Sequence, residues 1–177
     1  MIRTAILVSG GGTNLQAILD AHLFGEIPNC ELTAVISSNP KVYALERARM
    51  SGVPAYVVDY DLFPNRATFC RALLDKLQDL SIDLVVLAGF LYVLDENLVN
   101  AYKNRIINVH PSLTPSFCGR GCFGLQLHRL ALEHGVKVSG ATAYFVTERC
   151  GEGPIILQKA VEVREEDTPG TLQQRIM

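Results

Sequence analysis

No stretch of the chain approaches the roughly 20 apolar residues of a membrane-spanning helix. The opening MIRTAILVSG runs into Ser-Gly without a signal peptide's cleavage site. A cytoplasmic protein without a membrane partner is the expectation. Charge is not gathered into blocks: sixteen basic and eighteen acidic side chains leave a net charge of −2, spread along the chain. Such a surface carries no electrostatic footprint for nucleic acid, so an anionic ligand has to be held locally. The five cysteines, Cys30, Cys70, Cys118, Cys122 and Cys150, form no paired CxxC units and have no histidine at metal-ligand spacing. Reduced thiols and no metal site follow. Internal repeats, low-complexity tracts and linkers are missing as well, and 177 residues suit one domain with a sizeable core.

What is there is a rhythm of apolar, β-rich runs at Thr4–Val8, Leu32–Ile36, Ala55–Val58, Leu84–Leu87 and Ile106–Val109. Helical patterns such as NLQAILDAHLFG and ATFCRALLDKLQDL fall between them. Strands alternating with helices predict βαβ units in an α/β, doubly wound, mostly parallel sheet. The runs are nearly continuous Val, Ile and Leu, so both faces of that sheet are expected to be covered. After Gly140 two longer strand candidates, ATAYFVT and GPIILQKAVEV, are joined by ERCGE, which predicts an antiparallel addition. The closing TPGTLQQRIM starts a helix, with Thr168 as N-cap and Pro169 first inside it. The pattern is still helical at Met177, so the natural protein is expected to continue beyond it.

Open parallel sheets bind ligands beyond the carboxyl ends of their strands, which makes the residues delivered there the informative ones. The first strand runs into SGGGTN, Ser9 to Asn14, directly before a helix. Glycines there can present N–H groups to an anion at the helix N-terminus, with Gly12, Thr13 and Asn14 as the cradle. The other reading is a glycine turn in which Thr13 or Asn14 only caps the helix. No Gly-Lys-Ser/Thr follows, and Leu15 stands where a dinucleotide fingerprint needs its third glycine. The fourth strand emerges into Phe90, Leu91, Tyr92, Val93 and Leu94. These residues either line a slot for a flat ring or pack the next helix.

The fifth strand ends in INVHPSLTP. Alternation along a strand puts Asn108 and His110 on one side, and Pro111 ends the pairing, so the imidazole stands at the strand's end. That is a catalytic address, although a histidine bonded to the following loop is an alternative. The Pro/Gly-rich HPSLTPSFCGRG is longer than packing requires. His22, His128 and His134 fall within helical patterns and are read as surface or packing residues.

The segments ILVSGGGTNLQAIL, VVLAGF, NVHPSLTPSF.G and GATAYFVTE…GPIILQKAVEV resemble, in order and spacing, the phosphoribosylglycinamide formyltransferase family. These are folate-dependent enzymes of purine synthesis with a Rossmann-like fold, and the likeness covers nearly the whole chain. The resemblance implies transfer of a formyl group from 10-formyltetrahydrofolate, as cosubstrate, to the amine of glycinamide ribonucleotide, without metal. The protein would be a monomer or a homodimer. By the same resemblance Gly12, Thr13 and Asn14 hold the substrate phosphate. Arg66, Leu91, Tyr92, Val93, Leu94 and Asn108 contact the folate, and Asn108 and His110 are catalytic. An aspartate is expected four residues after Thr147, but that position is Gly151. Two consequences are weighed: Glu152 next to it substitutes, or the chain is a catalytically impaired ligand-binding homologue. Restoring the carboxylate with Gly151→Asp is expected to restore transfer. Tyr92 and Tyr144 stand where relatives often carry Arg and His.

Overall fold

The computed structural model describes residues 1–118, 122–149 and 151–177, so Cys150 and the middle of the loop after Pro111 lie outside the described residues. Two compact units make up the chain, residues 1–107 and 108–177.

In the first unit, β1 (Ile2–Val8), β2 (Cys30–Ser37), β3 (Ala55–Val57) and β4 (Leu84–Leu87) pair in parallel in the order β3-β2-β1-β4. The helices between them are α1 (Thr13–Leu23), α2 (Tyr43–Met50), α3 (Arg66–Asp79) and α4 (Glu96–Ala101), with a short 3₁₀ turn at Tyr60–Leu62. Every residue from Thr4 to Val8 is buried, so β1 is covered on both faces, as its unbroken apolar run requires. The same holds for the end of β2, from Ala34 to Ser37. Leu15 and Leu19, one helical turn apart on α1, close over Ile6, Val8 and Val35 together with Ala44 and Ala48 of α2. Full burial of one such leucine contributes about 1.5–3 kcal/mol.

α3 starts on Asn65, whose side-chain oxygen accepts from Thr68 N at 3.0 Å, and buries Phe69, Cys70, Leu73, Leu74 and Leu77. α4 starts on Asp95, whose carboxylate accepts from Leu98 N at 3.0 Å. Such caps satisfy donors that the helix itself leaves open.

β5 (Ile106–His110) belongs to the first unit for its first two residues and to the second from Asn108 onward. The second unit adds α5 (Gly124–Glu133), β6 (Val138–Phe145), β7 (Ile155–Glu162) and α6 (Pro169–Ile176). β6 and β7 pair antiparallel, with a register shift at Ala143/Tyr144. The parallel α/β sheet and its antiparallel C-terminal addition therefore have the class and order expected. Unlike β1, β7 is largely uncovered, with Ile155, Ile156 and Leu157 exposed. α6 forms where the sequence placed it: Thr168 Oγ1 accepts from Thr171 N, Thr171 answers in a reciprocal box, and Leu172 is fully buried. Arg175 closes that helix on Asp167 and donates to the carbonyl of Glu162 at 2.9 Å.

Candidate active site

In the first unit the carboxyl ends of β1, β2 and β4 are tied together by two serines. Ser9 Oγ lies 2.7 Å from Ser38 Oγ and accepts from Leu91 N at 3.1 Å, while Ser9 N donates to the Gly89 carbonyl at 3.2 Å. The glycine loop and the Phe90–Leu94 run are thus fixed to each other through Ser9, a residue that the sequence marked only as the loop's first.

Gly12 is the N-cap of α1 at φ +76°, and no side chain caps the helix. Thr13 and Asn14 are already inside it, so the first-turn N–H groups are not taken by the side-chain cap that the alternative reading required. The left-handed φ favours glycine, and a β-carbon there would stand 2.8 Å from Ala44 Cβ. Gly10 and Gly11 have open space instead. Arg47, not singled out by the sequence, lies beside the loop: Nε donates to the Gly11 carbonyl at 2.9 Å and Nη1 to Gln16 Oε1 at 2.9 Å. A fixed cation and an uncapped helix N-terminus are both suited to an anion.

The Leu91–Leu94 run divides by alternation. Tyr92 turns inward and stacks on Tyr60 at 3.9 Å, within a cluster that includes Phe69 and Phe90, and Leu94 is buried. Leu91 and Val93 point outward and are exposed. Packing therefore accounts for Tyr92 and Leu94, while Leu91 and Val93 present apolar surface. Burial, followed by the charge of Asp61, pushes the Tyr92 phenol upward. Arg66, in the first turn of α3, is exposed.

In the second unit Asn108 and His110 share one side of β5. Asn108 Nδ2 donates to the hydroxyl of Tyr144 on β6 at 2.8 Å, an orienting contact that sequence reasoning missed. His110 Nε2–H donates to the carbonyl of Phe117 at 2.9 Å. A carbonyl only accepts, so this bond puts the proton on Nε2 and leaves Nδ1 with its lone pair when the ring is neutral. Burial lowers the His110 pKa, and the Phe117 bond partly offsets this.

The turn that supplies that carbonyl is braced by polar side chains. Thr142 Oγ1 donates to the Ser112 carbonyl at 2.6 Å and accepts from Thr114 N at 3.0 Å. Gln158 Nε2 reaches the Thr114 carbonyl at 3.0 Å, and Ser112 Oγ donates to the Ser116 carbonyl at 2.7 Å. Phe117 itself has φ +51°, uncommon for a bulky residue, and packs edge-on against His134 at 5.5 Å.

Gly151 has φ +77°, and a β-carbon built on it overlaps Cys118 Sγ. Glu152 turns its exposed carboxylate toward Arg149 at 3.5 Å. His128 is fully buried on α5, and among the described residues neither of its ring nitrogens has a hydrogen-bond partner. Among the described residues no group of three His, Cys, Asp or Glu could hold a metal ion, and no helix is long and apolar enough to cross a membrane.

The model of the family described as Formyl transferase matches residues 2–177. The chain belongs to that family. The chain is 41% identical over 176 residues to the human trifunctional purine biosynthetic protein adenosine-3, spanning 98% of the chain but 17% of that protein's length. It is 35% identical to the phosphoribosylglycinamide formyltransferase of Bacillus subtilis, covering 99% of the chain and 87% of that enzyme. Among solved structures, glycinamide ribonucleotide transformylase 1 from Symbiobacterium toebii superposes with a TM-score of 0.92 at 49% identity, covering 99% of the chain and 80% of its own. The motifs quoted from the sequence thus identified the family.

Proposed function

We propose that this formyl transferase moves a formyl group from 10-formyltetrahydrofolate to the amine of 5-phosphoribosylglycinamide, in purine nucleotide synthesis. The observation that carries the reading is the pair on β5. Asn108 is held by Tyr144, and His110 is half-buried and bonded through Nε2, in a chain whose near-full-length relatives bear that enzyme's name.

Attack of the amine on the formyl carbon creates an oxyanion and an ammonium. Asn108 has two amide hydrogens; one is given to Tyr144 and the other is available to the oxyanion. A donor of that kind is worth about 2.7–4 kcal/mol in acyl transfer. His110, kept neutral at pH 7 by burial, takes the ammonium proton on Nδ1 and returns it to the departing folate nitrogen. General acid–base work of this sort contributes about 10²–10⁴-fold. Gly12, Thr13 and Asn14 bind the substrate phosphate, with Arg47 adding charge beside them. Arg66 and the outward Leu91 and Val93 contact the folate, while Tyr92 and Leu94 support that run from behind. The folate carries the activated carbon, and the protein supplies position and electrostatics. Position 151 offers no carboxylate, and Glu152 would serve only after leaving Arg149.

The test follows folate deformylation spectroscopically with both substrates, alongside calorimetric titration of each ligand. Turnover that requires the ribonucleotide supports the reading. Binding of both ligands without turnover would instead make the chain a ligand-binding homologue.

A further inference from the structure

The position where a carboxylate was expected is filled from another part of the chain. Gly151 is left-handed, and the space its side chain would enter holds the half-buried thiol of Cys118, with Cys118 Cβ 3.7 Å from that point. Cys118 directly follows Phe117, whose carbonyl is the polar contact of His110 Nε2. Phe117 holds that carbonyl in place from a backbone conformation that costs free energy unless its neighbours fix it. Two observations of different kinds, a steric overlap and a hydrogen bond, therefore meet on one turn.

We propose that Cys118 and Gly151 form an exclusive pair beside His110. The thiol takes the side-chain space of position 151 and so keeps the Phe117 carbonyl on the imidazole. Cys118 is a positioning residue: it acts on His110 through Phe117 and touches no reacting atom. The neutral carbonyl fixes the ring's orientation without the charge that a carboxylate would bring, which would favour the imidazolium. It follows that Gly151→Asp alone does not give back an aspartate in working position. Its β-carbon first has to displace the thiol, and with it the turn that now orients His110. The role in transfer rests on the function proposed above; the interlock itself does not.

The experiment compares the wild-type chain with Gly151→Asp, Cys118→Ala and the double variant, by three readouts. NMR titration of the His110 ring should show a lower pKa in Cys118→Ala, because the Phe117 bond that raises it is loosened. It should show a higher pKa in the double variant than in Gly151→Asp. Mass-mapped alkylation should find Cys118 several-fold more reactive in Gly151→Asp, since a displaced thiol is more accessible. In the transfer assay Cys118→Ala should lower kcat with little change in KM, and the two substitutions should be non-multiplicative by at least about threefold, as for residues in contact.

Gly151→Ala provides a second route if the aspartate variant does not fold. It should lower Tm, and adding Cys118→Ala should recover part of the loss. An unchanged His110 titration in Cys118→Ala, or independent effects at the two positions, would overturn the pairing. Coupled titration and alkylation without transfer in any variant would support the pairing while rejecting the proposed activity.

Discussion

The Nε2–H of His110 donates to the carbonyl oxygen of Phe117 at 2.9 Å, so the imidazole is oriented by a neutral main-chain acceptor on the loop that follows its own strand. This bond selects the tautomer that leaves Nδ1 as the proton acceptor. Replacing the ring removes the proposed base: His110→Ala is expected to lower kcat by about 10²–10⁴-fold, with a smaller effect on KM. Steady-state kinetics on protein with an unchanged far-UV spectrum check this.

Asn108 and Tyr144 should rank by what each one touches. Asn108→Ala removes the proposed oxyanion donor and is expected to cost about 10²–10³ in kcat. Tyr144→Phe removes the hydroxyl that accepts from the amide, and loss of that hydrogen bond, at about 1 kcal/mol, corresponds to roughly a fivefold loss. A Tyr144→Phe variant as impaired as Asn108→Ala would contradict this order.

Gly12→Ala tests the proposed phosphate cradle. The left-handed φ costs a β-carbon-bearing residue about 1–2 kcal/mol, and the added methyl meets Ala44 Cβ at 2.8 Å. A reduced Tm together with a raised KM for the ribonucleotide, kcat being less affected, is the expected pattern. Calorimetry with inorganic phosphate reads the proposed anion site separately and should show weaker binding.

Stability should depend on pH through two histidines, the fully buried His128 and the half-buried His110. Burial lowers the pKa of both His110 and His128 below the usual imidazole value, and for His128 the charge of His110 adds to it. The unfolded chain therefore takes up protons first, below pH of about 6.5. Stability is fully present above that value and falls as pH drops toward the folded-state pKa values. Thermal unfolding at pH 7.5 and 5.5 measures the effect. His128→Leu removes a buried ring without a partner among the described residues, so it should raise Tm and flatten the pH dependence.

The sheet was legible because buried parallel strands require unbroken apolar runs. Leu84–Leu87 matches β4 end for end, and β1 and β2 extend their runs by one or two residues at their ends. The placement of His110 was legible for a similarly simple reason: proline ends strand pairing, and alternation puts Asn108 beside it. What could not be read depends on loop backbone. Nothing in TPSFC announces a left-handed Phe117 that aims its carbonyl at His110. Nor does it announce that Cys118 would enter the space of Gly151, more than thirty positions away. The Ser9–Ser38 contact and the Arg47 bond to Gly11 were hidden for the same reason, since they join residues related only by the sheet order. In the Leu91–Leu94 run the packing reading holds for Tyr92 and Leu94, while Leu91 and Val93 face outward.

The most direct test of the proposed chemistry is single-turnover formyl transfer by the wild-type chain and by His110→Ala, with 10-formyltetrahydrofolate and 5-phosphoribosylglycinamide saturating. Formation of the formylated ribonucleotide by the wild-type chain, slowed about 10²-fold or more in His110→Ala, is the predicted result. Equal rates in the two proteins, or no product from a wild-type chain that binds both ligands, would contradict it.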